Sequence, residues 1–295
     1  MILVTGATGF VGGSLVRELL KKGYGVRCLV RDAQRGLRLK ELGCELRRGD
    51  VRELDSVVEA LDKNTDTVIH LVGILAEARG STYRDIHVAG TSNVLTACKM
   101  RGVRRVIHTS ALGARRDARS RYHRTKWEAE ELVRNSGLEY TIFRPSVIFG
   151  GADRFTNTFA RFIRMFPVVF VPGNGGNLMQ PVFVEDLSRM MRESIVKKDA
   201  AGKTYEVAGP ERFSFDEIID RIAQTLGRRV LKVHIPLVLM KPGALMAEML
   251  FSKPPLSRDS LLMLEEDNVT DDDSIERVFG IKRTGLTEGM RSYLH

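Results

Sequence analysis

Residues 2–13, Ile-Leu-Val-Thr-Gly-Ala-Thr-Gly-Phe-Val-Gly-Gly, place three glycines at regular three-residue spacing directly after a short apolar run. An amphipathic stretch at residues 14–22 follows them. Gly6 permits a tight turn, Gly9 lets the backbone approach a pyrophosphate, and Gly12 allows a strand and a helix to pack closely. Because free N–H groups at the start of a helix attract anions, this strand, turn and helix predict a binding site for a nucleotide cofactor.

The rest of the first half repeats the same kind of unit. Apolar runs at residues 2–4, 26–30, 67–72 and 105–109 alternate with helical patterns, and a further run covers residues 140–145. Repeated strand–helix–strand units predict an α/β fold with a doubly wound parallel sheet, the Rossmann fold.

The strict alternation ends near Gly209, and we predict three parts on that basis. They are a dinucleotide-binding core at 1–150, a segment at 151–208 with a substrate loop, a helix and a strand returning to the core, and a smaller, mainly helical region at 209–295 for substrate or a partner.

Two apolar stretches outside the alternating units have more than one interpretation. Phe155, Phe159, Phe162 and Phe166 follow helical spacing, and such a stripe is more often core than cofactor-binding. Residues 235–251 are apolar and rich in methionine, which adapts to irregular partners. This second stretch can pack in the core, line an apolar cleft or lie at an interface.

Composition indicates an ordinary globular protein. The 295 residues are 43% hydrophobic, and the three cysteines, Cys28, Cys44 and Cys98, have no metal-binding spacing. We therefore expect no metal, no disulfide and a reducing compartment. The first strand begins at Ile2 and no apolar run approaches the roughly 20 residues that span a bilayer, so we expect a cytoplasmic protein, at most peripheral to a membrane.

The formal charge of +9 is unevenly distributed. Residues 101–126 hold nine basic residues and only one acidic residue, Asp117, whereas residues 265–273 are mainly acidic. The basic segment is either solvated surface or a site that attracts an anionic ligand or an anionic membrane. Nucleic acid is not expected as a partner, because neither interleaved aromatic residues nor a recognised binding module accompanies the charge.

A tyrosine and a lysine at four-residue spacing are candidates for catalysis. Tyr122 and Lys126 share one face of a helix that begins twelve residues after Ser110, which ends a strand. A phenol is a weak base at neutral pH, but a nearby ammonium and a cationic nicotinamide favour the phenolate. We therefore expect Tyr122 to exchange a proton with a substrate hydroxyl or carbonyl while the cofactor exchanges a hydride.

These motifs together resemble the short-chain dehydrogenase/reductase superfamily, in its extended and atypical branches. Besides the glycine turn and the Tyr–Lys pair, residues 49–51, 71–73, 144–150 and 181–186 resemble segments of that superfamily. Residues 261–269 and 285–294 look most like the group of the nucleotide-binding accessory subunit of mitochondrial complex I and its bacterial relatives.

The resemblance implies a set of site residues. The expected catalytic residues are Tyr122, Lys126 and Ser110, with Ser110 polarising the substrate. The expected cofactor-binding residues are Gly6, Thr8, Gly9, Phe10, Val11, Gly12, Arg31, Arg35, Asp50, Val51, Leu71, Val72, Gly73, Tyr122, Lys126 and Pro145. One departure is His87, which stands where the family usually has an asparagine, and it is open to interpretation as a helix-entry residue without a chemical role.

Cofactor choice depends on the residues after the second apolar run. An acidic residue there accepts hydrogen bonds from the ribose hydroxyls of NAD, whereas arginine pairs with the 2′-phosphate of NADP. Arg31 follows the run directly, Asp32 comes next, and Arg35 adds a second positive charge. We predict NADP(H), with NAD(H) as the alternative.

Two functions are compatible with these features. The first is an NADP(H)-dependent oxidoreductase or epimerase-like enzyme acting on a small molecule, with nucleotide sugars fitting the basic segment, and quinones, isoprenoids or other lipids fitting the methionine-rich stretch. The second is a catalytically weak nucleotide-binding or redox-sensing protein that docks on a membrane or a respiratory-type complex.

Overall fold

The computed structural model describes residues 1–78, 80–251 and 257–294. The strands in chain order are β1 (Ile2–Thr5), β2 (Val26–Val30), β3 (Glu45–Arg48), β4 (Thr67–His70), β5 (Arg105–Thr109), β6 (Glu139–Pro145), β7 (Ile148–Phe149), β8 (Val168–Pro172), β9 (Leu178–Met179), β10 (Val182–Phe183), β11 (Lys203–Val207), β12 (Phe213–Ser214) and β13 (Leu231–Ile235).

The helices follow the predicted alternation in the first half of the chain. They are α1 (Phe10–Lys21), α2 (Ala33–Glu41), α3 (Leu54–Ala60), α4 (Gly90–Arg101), α5 (Arg121–Arg134), α6 (Thr156–Met165), α7 (Val184–Glu193), α8 (Phe215–Thr225), α9 (Leu237–Leu250), α10 (Arg258–Leu264), α11 (Ser274–Phe279) and α12 (Leu286–Arg291). A π-helical turn at Arg84–Ala89 leads directly into α4.

Seven strands form one parallel sheet in the order β11-β6-β5-β4-β1-β2-β3, which confirms the doubly wound α/β fold. The chain passes from β3 across the sheet to β4, so the order reverses beside β1. Ligands of open α/β sheets bind at the carboxyl ends of the strands where the order reverses. The predicted run at 67–72 ends early as a strand, at His70, because Leu71 turns away against the glycine turn.

The two faces of this sheet are buried in separate hydrophobic clusters. Ile2 and Val4 of β1 pack with α1, α7 and α11, whereas Leu3 packs with α3 and α4 on the opposite face. This alternation is the period-two pattern of a strand covered on both sides. A third cluster is built from β8, α6, α8 and α12.

The third cluster concerns the two later parts of the predicted organisation. It joins Ile163 of α6 to Ile218 of α8 and Leu286 of α12, so residues on both sides of the predicted boundary at 209 share one core. Residues Ile275 and Phe279 of α11 instead pack in the core of the main sheet. The three-part division stays a prediction.

The aromatic stripe is only half buried, contrary to the core interpretation. Phe155 and Phe159 pack against the third cluster beside Phe215. Phe162 and Phe166 are exposed, at 49% and 50%. Spacing alone places all four side chains near one helix face, but the core ends before the last turn of α6.

The cysteines Cys28, Cys44 and Cys98 are buried free thiols. Within the described ranges, no group of His, Cys, Asp or Glu is arranged to hold a metal ion. A search of those same ranges finds no helix with both the length and the apolar character that crossing a bilayer requires.

Candidate nucleotide-binding and active site

The glycine turn joins β1 to α1 with almost no free space. A side-chain carbon at Gly12 would lie 2.3 Å from the carbonyl oxygen of Gly6. Gly6 has φ +77° and would place such a carbon 3.1 Å from the backbone of Leu71 and Val72. Gly9 caps α1 without a side-chain hydrogen bond, so N–H groups of the first turn remain for a ligand. The turn thus fits the phosphates of a dinucleotide.

A polar cavity of about 320 Å³ opens beside this turn, at the carboxyl end of β2. Its lining residues are Thr8, Arg31, Asp32, Arg35, Asp50 and Arg52. Three guanidinium groups thus face two carboxylates, which leaves an excess of positive charge. Arg52 is the lining residue that the sequence analysis missed, and its place directly after Asp50 and Val51 was the available signal.

The two carboxylates of the cavity already have partners. Asp50 accepts hydrogen bonds from Arg52 Nε at 3.0 Å and Nη2 at 2.7 Å, and this arginine lowers the pKa of the Asp50 carboxyl against the effect of burial. Asp32 caps α2 by accepting from the backbone of Gln34 at 2.9 Å, and it lies 3.7 Å from Arg35. Arg31, in contrast, has no ion-pair partner in the described part of the chain.

Lys126 lies buried beside the exit of β4. Its Nζ donates to the carbonyl oxygen of Thr109 at 2.8 Å and would lie 3.2 Å from a side-chain carbon at Gly73. Only glycine at position 73 leaves the ammonium this room. Burial lowers the pKa of Lys126 to about 8. With one protein acceptor for three N–H protons, the ammonium is suited to bind further hydroxyl oxygens.

Tyr122 lies one helical turn before Lys126 on α5. Its ring packs edge-on against Tyr83 and His87, with centroid distances of 5.9 and 5.4 Å. Burial raises the pKa of Tyr122 to about 12, opposite in direction to the lowering that we predicted from Lys126. The lysine donates to the Thr109 carbonyl, and its own charge is destabilised by burial.

His87 is a buried, hydrogen-bonded residue of the π-helical turn. Its Nε2 accepts from the backbone N–H of Ile74 at 3.1 Å, and its Nδ1 lies 2.9 Å from Thr125 Oγ1. Because the Thr125 hydroxyl donates to backbone carbonyls of α5, Nδ1 carries the imidazole proton. Burial and Lys126 lower the pKa of His87 to about 2, so the ring is neutral.

His87 belongs to a buried histidine group with His70 and His108. His70 accepts at Nδ1 from Thr5 and donates at Nε2 to Thr91, since the Thr91 hydroxyl proton goes to the His87 carbonyl. Its ring stacks on His108 at 5.4 Å, and burial lowers the pKa of His70 to about 3 and that of His108 well below its ordinary value. Sequence reasoning missed this group because isolated histidines carry no spacing signal.

Ser110 is buried directly after β5. Its backbone N–H donates to Phe143 at 2.7 Å, which fixes the residue at the carboxyl edge of the sheet. Its Oγ has no hydrogen-bond partner among the described residues, and the same holds for Thr109 Oγ1. A buried hydroxyl without a partner is costly in a folded protein, so it is suited to a ligand oxygen.

Of the other predicted residues, several contribute through the backbone. The side chains of Val11, Val51, Leu71 and Val72 pack in the two cores of the main sheet. Phe10 begins α1 with its ring against Gly150, and Pro145 ends β6 at the same carboxyl edge. The structure therefore brings the predicted set together along the ends of β1, β2, β4, β5 and β6.

The basic segment is not a single exposed patch. Arg115 pairs with Glu266 at 2.8 Å and Arg119 pairs with Glu265 at 2.6 Å, so the acidic stretch of the same chain offsets it. Arg105 and Lys126 of this segment are buried. Asp259 adds to this contact, because its carboxylate accepts from the first two backbone N–H groups of α5 at 2.6 and 3.0 Å.

The glycine turn, the sheet order and the Tyr–Lys helix define the class of protein. The family model described as the NAD dependent epimerase/dehydratase family matches residues 2–208, and the chain belongs to that family.

Among curated proteins, the chain is similar to mitochondrial NADH dehydrogenase [ubiquinone] 1 alpha subcomplex subunit 9. The Arabidopsis thaliana protein is 32% identical over 274 residues, which cover 90% of this chain and 68% of that protein. The Mus musculus protein is 34% identical over 239 residues, which cover 79% and 63%. The chain thus spans about two thirds of the length of these relatives. Photosystem II assembly factor Ycf39 of Cyanophora paradoxa is 27% identical, covering 81% and 73%.

Solved structures agree with the fold. A UDP-glucose 4-epimerase from Thermotoga maritima has a TM-score of 0.79 at 17% identity, covering 99% of this chain and 97% of its own. An NADPH-dependent quinone oxidoreductase from Escherichia coli has a TM-score of 0.78 at 18% identity, with both chains fully covered. At these identities the likeness establishes the fold alone.

Proposed function

We propose that the protein binds NADP(H) across the glycine turn and the arginine-lined cavity. The observation that carries the proposal is the cavity itself, where Arg31 follows β2 without an acidic partner in the described ranges. Its Asp32 is engaged as the cap of α2. A 2′-phosphate carries the negative charge that such a cavity is suited to hold, and planar guanidinium groups match phosphate oxygens.

The second step of the proposal concerns chemistry at Tyr122. The bound cofactor supplies a hydride donor or acceptor. Because its pKa is about 12, the Tyr122 phenol is protonated at neutral pH and can donate its Oη proton to a substrate oxygen. The Ser110 hydroxyl donates to the same oxygen, and Lys126 holds ribose hydroxyls. This arrangement favours reduction of a carbonyl to a hydroxyl.

The test follows the nicotinamide absorbance of bound NADPH while quinones and keto-sugar nucleotides are added. We expect oxidation by the native protein and none by Tyr122→Phe, with equal NADPH affinity in both. Equal oxidation rates would remove Tyr122 from the mechanism. Tight NADPH binding without oxidation by any carbonyl compound would contradict the redox part of the proposal and leave the binding part intact.

The second candidate is a nucleotide-holding accessory or assembly protein of a membrane-bound complex. The observation that favours it is the similarity to a complex I subunit and to a photosystem II assembly factor over most of this chain. Its prediction is co-migration with an NADH-oxidising complex on native gels of the host's membranes. Migration only as the free protein would count against this candidate.

A further inference from the structure

Large apolar side chains are exposed mainly in one part of the molecule. Eleven of the seventeen exposed large apolar residues that the structure describes lie in residues 162–170 and 231–251. Their centre is the two-stranded sheet of β8 and β13, which pair in parallel with Phe170 beside Val233. Phe170 is 63% exposed and Leu231 is 64% exposed. Such a concentration marks an interaction site rather than ordinary scattered exposure.

This small sheet has a polar-paired inner side and an apolar outer side. Val169 and Val171 of β8 point into the core, and on the same side Lys232 Nζ of β13 binds Asp220 of α8 at 2.7 Å. The residues of the opposite side are all apolar. They are Val168, Phe170, Pro172, Leu231, Val233 and Ile235, and we call them the outer face.

Neighbouring segments extend the outer face. The backbone N–H of Leu231 donates to Pro167 at 2.8 Å, which places the start of β13 beside the exposed Phe166 at the end of α6. After β13 the chain enters α9, whose Val238 and Leu239 are also exposed. The methionine-rich stretch thus contributes more to this surface than to the core, although Ala244 is buried.

The charges around the outer face have one sign. Residues 154–172 and 226–247 contain seven basic residues and no acidic residue. Lys232 and Lys241 have acidic partners in α8 and at Glu265. Arg154, Arg161, Arg228 and Arg229 make no ion pair with any described residue.

We propose that the outer face docks on an anionic lipid surface, with Phe170 and Leu231 entering the headgroup region and the arginines contacting phosphates. Exposed aromatic and aliphatic side chains framed by arginines are the pattern of interfacial membrane binding. A second copy of the chain is a poorer match, because it would bring two sets of arginines together without acidic partners. This docking goes beyond nucleotide binding and does not depend on it.

The experiment compares flotation of the full-length protein with vesicles of phosphatidylcholine alone and of equal parts phosphatidylcholine and phosphatidylglycerol. We expect flotation only with the anionic vesicles at low salt and its loss at high salt. The double variant R228A/R229A lowers partitioning by roughly 30-fold, since each basic residue near an anionic surface contributes about fivefold. The double variant F170S/L231S also loses flotation.

Two controls exclude a folding defect and a generic effect. The variant L37S/L42S removes two exposed leucines of α2 and its C-terminal cap, outside the outer face, and keeps full flotation. Every variant keeps the native melting temperature and NADPH affinity. In F170W, brominated lipid quenches more tryptophan emission than it does in the native protein, whose single tryptophan is Trp127.

Three outcomes overturn the proposal. The first is absence of flotation with anionic vesicles, and the second is flotation that R228A/R229A and F170S/L231S leave unchanged. The third is self-association in sedimentation that F170S/L231S abolishes, which would assign the outer face to a second copy of the chain. None of these outcomes bears on NADPH binding, so the two proposals fail separately.

Discussion

Arg31→Ala tests the cofactor prediction most directly. Arg31 is exposed at the end of β2 and has no described ion-pair partner, so its removal leaves no buried carboxylate unpaired. Arg52 differs, because it neutralises Asp50 through two hydrogen bonds. Removing Arg31 therefore isolates one contact to a 2′-phosphate, whereas removing Arg52 also frees a carboxylate that repels the phosphate.

The magnitude follows from the kind of contact. A hydrogen bond to a charged group contributes about 1.5–3 kcal/mol, and screening of an exposed arginine places Arg31 at the low end. Since about 1.4 kcal/mol is tenfold in affinity, Arg31→Ala should weaken NADPH binding by about 10- to 30-fold. NADH lacks the 2′-phosphate, so its affinity should stay within about twofold.

Isothermal titration of both nucleotides against both proteins measures this difference. Arg38→Ala is the matched control, because Arg38 is an exposed arginine of α2 that does not line the cavity. It should change neither affinity. Equal weakening of NADPH and NADH by Arg31→Ala, or tighter binding of NADH by the native protein, would refute the assignment of Arg31 to a phosphate.

Four further predictions concern folding and chemistry. Gly12→Ala should abolish nucleotide binding and lower the free energy of unfolding by about 1–3 kcal/mol, whereas Gly13→Ala, with its nearest neighbour at 3.9 Å, should be nearly neutral in urea denaturation. Asp259→Ala should cost about 1 kcal/mol in the same assay by removing the cap of α5; no change would argue against the cap. The buried histidine group has pKa values below the ordinary 6.5, so the unfolded chain takes up protons first and stability should fall between pH 6 and 4, by up to about 4 kcal/mol per unit; a pH-independent free energy of unfolding would contradict this. Ser110→Ala should keep or raise the melting temperature while lowering turnover, and unchanged turnover would remove the serine from the site.

The sheet was predictable because its signals are local. Residues 26–30 and 105–109 match β2 and β5 to the residue, since short apolar runs between helical patterns have few other structures in an α/β chain. The end of β4 was not predictable, because Leu71 leaves the sheet only through its contact with Gly6. Exposure of Phe162 and Phe166 depends on where the third cluster ends, which no helical spacing encodes.

The candidate site divides in the same way. The glycine turn carries its own geometric reason in sequence, and so does the place of Arg31 after β2. The pairing of Arg115 and Arg119 with Glu266 and Glu265 joins residues about 150 positions apart, so composition could predict only that both charge clusters exist. The position of Lys126 against Gly73 likewise arises from tertiary packing.

Lys126 cannot separate the two candidate functions, whereas Ser110 can. A buried ammonium with one protein acceptor is stabilised by ribose hydroxyls whether or not a reaction follows. The phenol of Tyr122 gains from its aromatic neighbours in either case. The buried Ser110 hydroxyl, in contrast, has no described partner and nothing in nucleotide binding requires it. A protein that only held its nucleotide would be at least as stable with alanine there, so the unsatisfied hydroxyl favours a substrate oxygen at this position.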